Sequence, residues 1–336
     1  MGFEHILMDH GSGGELSHRL IKETILPLFD NPILSELGDG AVFDMGDTRL
    51  AFSTDTFVVD PIFFPGGSIG SLAINGTVND LAMCGATPLY LSVGLILEEG
   101  FPVKDLERVL SHMRAAAKEA GVEVVTGDTK VVEKGAADKV FINTAGVGLV
   151  PEGVLPSCCD IKLGDKIIIN GYIGDHGVTI LTQREGLSFD APIKSDTAPL
   201  NHIVKRLLST TRGIRLLRDP TRGGIGTVLN EIARKFRIGI MILEENIPLR
   251  NEVAGICDLL GLDPLYLPNE GKFLALVSAR QADSILEVMK SEPLGRDAAI
   301  IGEIVEDCPG QVFMKTPIGG TRIVEMLTGE QYPRIC

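Results

Sequence analysis

Apolar residues recur along this chain in two rhythms, and the alternation between them is the first structural signal. Compact apolar runs at residues 50–53, 89–97, 122–125, 140–150, 166–170 and 273–278 predict strands. Across Val103–Ala120 the apolar positions are Val103, Leu106, Val109, Leu110 and Met113. That is the i, i+3, i+4, i+7 stripe of a helix burying one face, and Gly121 is placed to end it. Helical patterns also cover 176–184 and 200–208, and a glycine-rich segment at 223–226 precedes a further strand, helix and strand. The chain is predicted to be α/β (α+β).

Residues 151–156 (PEGVLP) carry two prolines and a glycine after a long apolar strand, which predicts a domain boundary near 155. With 336 residues, at roughly 150 per domain, two domains are expected: 1–155 and 156–326. In 327–336, Gly329 and Pro333 prevent a helix and no alternation supplies a strand, so a mobile tail is expected.

Composition adds exclusions. With 44% hydrophobic and 23% charged residues, the chain is neither disordered nor collagenous. The long uncharged stretches at 61–79 and 81–97 are broken by Gly and Pro, so no spanning helix is expected. No basic region followed by a long apolar segment opens the sequence, and the expected location is cytoplasmic, with no membrane partner. A net charge of −14 repels phosphate backbones, which argues against nucleic acid. An anionic ligand such as a nucleotide would then need a cation between it and the protein, and Mg2+ is the usual one. Six cysteines, at 84, 158, 159, 257, 308 and 336, form no C-x-x-C pair. The first five lie in or beside apolar segments and are expected to be inert thiols in a reducing compartment; Cys336 differs because it is the last residue.

Two common phosphate-binding patterns are absent. The only Gly-Lys, Gly271-Lys272, is followed by Phe273, so there is no P-loop, and Gly11-Ser12-Gly13-Gly14 continues as Glu15-Leu16 rather than a dinucleotide fingerprint. What the sequence offers instead is a set of aspartates among small neighbours: Asp39 in GDGA, Asp55 in STDT, Asp80 in ND, Asp128 in TGDTK and Asp219 in RDPTRGG. A single Asp beside Gly or Thr is ordinarily a turn or cap residue. The whole set, expected at converging strand ends, suits metal ions bridging a triphosphate, because Mg2+ takes one or two carboxylates plus phosphate oxygens. Thr129 directly follows Asp128, and Thr221 lies two residues after Asp219. Gly11, Gly13 and Gly14, and Gly223, Gly224 and Gly226, would free N–H groups to approach phosphate, with Arg222 adding a cationic fork. Lys130 could touch a phosphate or shift a proton, and Glu270 in PNEGK could be a turn carboxylate or a general base. The tail YPRIC carries a thiol at its very end, suited to bearing a covalent group into a pocket.

Together MDHGSGGEL, STDTFVVDPIFFPGG, NDLAMCGATP, TGDTKVV, RDPTRGG, PNEGK and the terminal PRIC resemble the HypE family of hydrogenase maturation factors over essentially the whole chain. That family falls within the superfamily of aminoimidazole ribonucleotide (AIR) synthetase, selenophosphate synthetase and thiamine-monophosphate kinase. The resemblance implies a two-domain AIR-synthetase-like fold whose N-terminal domains pair in a homodimer. It implies ATP and Mg2+ held by Asp39, Asp55, Asp80, Asp128 and Asp219, with Thr129, Thr221, Arg222, Gly223 and Gly224 contributing to the nucleotide site. It implies that a HypF-type carbamoyltransferase loads Cys336, that ATP-dependent dehydration makes a thiocyanate there, and that cyanide passes to iron on a HypC–HypD complex for NiFe hydrogenase. Glu270 and Lys130 would handle protons near the thiocarbamate. Two other readings stay open on the residues alone: an ATP-dependent kinase or synthetase acting on a free small molecule, and a non-enzymatic carrier.

Overall fold

A computed structural model describes residues 4–153, 160–187 and 193–329. Helices α1 (Glu15–Leu20) and α2 (Leu26–Phe29) lead into β1 (Ala41–Met45), β2 (Thr48–Phe57), a short hairpin of β3 (Phe63–Phe64) and β4 (Gly67–Ser68), and α3 (Ile69–Met83). Next come β5 (Thr87–Glu98), α4 (Val103–Ala120), β6 (Glu123–Val132) and β7 (Val140–Leu149). The second half runs β8 (Lys166–Ile169), α5 (Asp175–Arg184), α6 (Asn201–Thr210), β9 (Ile214–Arg218), α7 (Gly224–Phe236), β10 (Gly239–Leu243) and α8 (Asn251–Leu260). It closes with β11 (Leu274–Val277), α9 (Ala282–Ser291), β12 (Ala299–Val305), β13 (Val312–Lys315) and β14 (Thr321–Val324).

The first sheet has the order β1-β2-β7-β5-β6, antiparallel except where β5 and β6 run parallel through the α4 crossover. The predicted helix Val103–Ala120 is α4, and Gly121 ends it in the left-handed conformation that a side chain would resist. One face of this sheet is covered by α3 and α4, which bury Phe57, Ile69, Leu72, Val109, Met113 and Ile142 in one cluster. The other face has no helix among the described residues: Phe52, Tyr90 and Ile96 lie 42–46% exposed, an unusual state for large apolar side chains in a row.

The second sheet, β14-β13-β10-β12-β8-β11-β9, has a core on each side: Ile167, Ile169, Leu229 and Ile240 on one, Ile168, Leu207, Phe273 and Val277 on the other. Its strands are correspondingly apolar on both faces. The α3 helix bridges the halves, because Ala82 and Met83 at its C-terminal end belong to the second sheet's core. No helix among the described residues is long and apolar enough to cross a membrane. Leu327, where the tail was expected to begin, is buried, and its carbonyl accepts the Glu15 N–H at 2.9 Å. Cys336, Cys158 and Cys159 lie outside the described residues.

Candidate active site

The strongest local constraint on the site is α3. Thirteen of its 15 residues are buried, and Asp80 is its one charged residue. Gly76, one turn earlier, allows the Phe57 ring to cross the helix where a Cβ would stand only 2.7 Å away. Asp80 therefore faces a gap between the sheets, where its Oδ2 accepts the Ser53 hydroxyl at 2.6 Å. Asp55 reaches the same gap from within β2, Asp219 from just after β9, and Asp39 from the turn before β1.

With Thr221, Arg222, Glu270 and the N-terminal residues His10, Gly11 and Gly13, these four aspartates line one cleft of about 370 Å³. Such a volume is within the range of small-molecule sites. Burial pushes the Asp80 and Asp219 carboxyls well above the usual carboxylate range, and the neighbouring aspartates push them further. Burial also raises Asp39 and Asp55, opposed by Arg218 and Arg222 respectively. Glu270 is raised well above its ordinary value by burial, then by Asp196, Asp55 and Asp219, and its Oε1 is buried with no hydrogen-bond partner.

Crowded carboxylates must either take up protons or take up a cation. The all-oxygen donor set fits a hard cation such as Mg2+. Among the described residues no three of these groups converge tightly enough to chelate an ion by themselves. This arrangement suits an ion that takes one or two carboxylates and completes its shell with phosphate oxygens and water.

Several expected site residues stand elsewhere. Asp55 and Asp128 lie inside strands and Asp80 on a helix, so of the five only Asp219 directly follows a strand end. Asp128, Thr129 and Lys130 sit on β6, the sheet's edge, outside the cleft. Register explains the separation. Asp55 pairs with Thr144, Thr144 with Val93, and Val93 with Gly127, whereas Asp128 belongs to the adjacent row through Gly94, Asn143 and Thr56. Three strand spacings put Asp128 about 14 Å from Asp55, and strand alternation puts it on the bare face. There it is exposed and held below the usual range by the hydrogen bond from Lys130, whose Nζ lies 2.9 Å from Oδ2.

Gly223 and Gly224 do not line the cleft either. Both have positive φ and form the start of α7, where a Cβ on Gly224 would strike the Leu265 and Leu267 carbonyls. Gly226 lies inside α7, and its bare surface accommodates the Tyr266 ring. Local packing is reason enough for a glycine at each of the three positions. Gly13 does border the cleft, at φ +80°, where a Cβ would come within 2.9 Å of Arg222 Cβ.

The cleft also contains residues with no local motif. Arg218 bridges Asp39 and Glu231, each at 2.6 Å, and Glu231 meets His18 of α1 at 2.9 Å. Arg218 opens RDPTRGG and could have been suspected from its place beside Asp219. Glu231 and His18 are 213 residues apart, and only the fold unites them. Cys84, near the aspartates, has its thiol pushed up by burial and by their charge, which disfavours the thiolate.

Comparisons with known proteins place the chain in a family. The AIR synthase related protein family matches with its N-terminal domain at residues 37–150 and its C-terminal domain at 162–315. Carbamoyl dehydratase HypE of Azotobacter vinelandii is 53% identical over 329 residues, 98% of this chain and 96% of that protein. A crystal structure of hydrogenase maturation protein HypE in complex with ATP is 51% identical, with a TM-score of 0.83, covering 99% of this chain and 100% of that one. A crystal structure of a HypE–HypF complex is 46% identical, with a TM-score of 0.87, covering 92% of this chain and 99% of that one.

Proposed function

The chain belongs to the carbamoyl dehydratase HypE family, and from that premise we propose that it uses ATP to dehydrate an S-carbamoyl group on its own Cys336 to a thiocyanate, in hydrogenase maturation. The observation that carries the reading is the convergence of part-buried Asp39, Asp55 and Asp80 with buried Asp219 and Glu270 on one cleft beside the root of the tail. Leu327 packs against Gly14, next to the cleft-lining Gly11 and Gly13. Gly329, the last described residue, lies against Asp9, the neighbour of cleft-lining His10, and a chain of seven further residues can span at most about 25 Å. Tethering supplies the reacting group at high effective concentration.

The chemistry follows from the leaving group. A carbamoyl oxygen attacks the γ-phosphorus, a new O–P bond forms, and ADP departs. Loss of the two N–H protons and cleavage of the C–O bond then give C≡N and inorganic phosphate. Bound Mg2+ would neutralise the phosphates, held by Asp39, Asp55, Asp80 and Asp219. Arg222 provides a cationic fork at the cleft wall. Glu270, buried and with high proton affinity, is the group suited to accept a proton from nitrogen.

Asp128, Thr129 and Lys130 enter this reading through a second copy of the chain. The bare apolar face of the first sheet and its exposed β6 edge support a homodimer in which these residues meet the partner's cleft. A HypF-type carbamoyltransferase would load Cys336, and a HypC–HypD complex would take the cyanide, in the cytoplasm. The proposed units are 1–155, 156–326 and the tail 327–336.

Intact-protein mass spectrometry tests the reading: the chain is loaded with a HypF-type enzyme and carbamoyl phosphate, then given MgATP. The expected result is one carbamoyl group on the wild type and none on Cys336→Ala, followed by loss of one water on adding ATP. Loading that is never followed by loss of water favours the carrier reading. No loading at Cys336 eliminates the tail reaction.

A further inference from the structure

The loop that presents Glu270 is gripped by a segment outside the cleft. Residues 193–200 have no regular structure and lead into α6. The Ser195 N–H donates to Pro65 O at 2.9 Å, its hydroxyl meets His176 Nδ1 at 2.8 Å, and the Leu200 N–H donates to Asn79 Oδ1 at 2.8 Å. At its centre Asp196 points at the Glu270 loop. Its Oδ1 accepts the Glu270 N–H at 3.1 Å and its Oδ2 the Gly271 N–H at 3.3 Å, while Lys272 Nζ lies 3.0 Å from Oδ2. The Asp196 side chain is 4% exposed and that of Lys272 is 12% exposed. From the other side, Asn79 Nδ2 donates to Glu270 O at 3.2 Å. Gly271 lies directly on the Asp196 carbonyl, where any Cβ would collide.

We propose that Asp196 is a positioning residue for the dehydration step: as a carboxylate paired with Lys272, it accepts two successive N–H groups and so fixes where the Glu270 side chain enters the cleft. This rests on the reading of Glu270 as the proton acceptor given above. The chemistry of the grip requires an acceptor-only group. Asparagine would keep one acceptor and turn an N–H donor toward an N–H donor, and alanine would leave both buried N–H groups unpaired. Burial pushes Asp196 upward, but Lys272 first and His176 next pull it below the ordinary range, so it stays ionised. Asp196 is absent from the cleft lining, which separates its role from contact with ATP.

The test is a double-mutant cycle on the full-length, carbamoyl-loaded chain, reading single-turnover loss of water by mass spectrometry together with the Kd for MgATP. Asp196→Asn should slow dehydration about a hundredfold, the scale of a small misplacement of a reacting group, with the ATP Kd unchanged within about twofold. In the Glu270→Gln background the same change should cost almost nothing further, because both act through one group. Equal losses in both backgrounds, or a loss in ATP affinity matching the loss in rate, would overturn the proposal. If Asp196→Asn does not fold, Lys272→Met serves as the second variant, with about a tenfold loss that also vanishes beside Glu270→Gln. A wild type that loads but never loses water removes the dehydratase reading itself; a wild type that does lose water, with an additive cycle, removes only this role.

Discussion

Asp55 and Asp128 stand about 14 Å apart on neighbouring rows of one sheet and live in opposite surroundings. Asp55 faces α3, is desolvated, and has its carboxyl pushed up; Asp128 faces solvent on a bare edge strand and is pulled down by Lys130. The difference lies in what each region needs for completion. The cleft is built by long-range packing within one chain and is short of positive charge. The β6 edge is already charge-matched but has unpaired strand edge and uncovered apolar surface. On the proposed reading, a cation with polyphosphate would complete the first and a second protein surface the second.

The largest expected effect breaks the cleft. Asp80→Asn and Asp219→Asn should each lower ATP-dependent dehydration by about a thousandfold, since each removes charge that holds the metal and transferring phosphoryl group. Loading of Cys336 by the carbamoyltransferase should be unchanged in both. Turnover at wild-type rate in either variant would show that the buried carboxylates are not the phosphate-transfer site.

A second test addresses the edge. Phe52→Asp places a charge on the bare apolar face, and analytical ultracentrifugation should then find monomers where the wild type gives dimers. Lys130→Ala should keep the dimer and the fold, within about 0.5 kcal/mol, because it is an exposed substitution. It should still slow dehydration about tenfold to a hundredfold. If each active site draws on both copies, mixing inactive Asp80→Asn with Lys130→Ala chains should restore activity, because a mixed dimer contains one site with neither change. Failure of the mixture to exceed the sum of its parts, with exchange of subunits verified, would confine each site to one chain.

The same contrast explains what could be read before the fold. The α4 helix was legible to its last residue because its signals are local: an apolar stripe and a terminating glycine. Asp219 was legible through its RDPTRGG setting, but the strand that positions it was not: β9, which ends immediately before it, carries no predicted apolar run. Asp80 looked like part of a turn, yet the sequence around it held a clue: it is the only charge in a long run of small and apolar residues, the mark of a buried helix. Asp128 could not be separated from Asp55, because both follow Thr or Gly in similar strands and the face each occupies depends on register across four strands. Glu231, His18 and Asp196 were missed for one reason. Each acts on a residue far away in sequence, and no spacing rule reports such a pair.

The smallest effect is thermodynamic and separates the two regions without using activity. Asp80, Asp219 and Glu270 have proton affinities raised in the folded state. A carboxyl raised in this way contributes stability that is fully present below its unfolded value, near pH 4, and is lost as pH rises through its folded value. Glu231 and Asp196 are lowered and act in the opposite sense, so the wild-type slope alone is a mixture. The informative quantity is a difference. Without ligand, the Tm of Asp80→Asn minus that of the wild type should increase from pH 5 to pH 8, reaching about 2–4 °C, because the variant escapes a repulsion that the wild type feels only when ionised. Adding MgATP should reverse the order, since only the wild type gains from binding. Asp128→Asn should show no such pH-dependent gain without ligand, as its charge is exposed and already matched by Lys130. A flat difference for Asp80→Asn would mean that the cleft carboxylates do not repel one another in the folded chain, and the charge deficit that calls for a cation there would be gone.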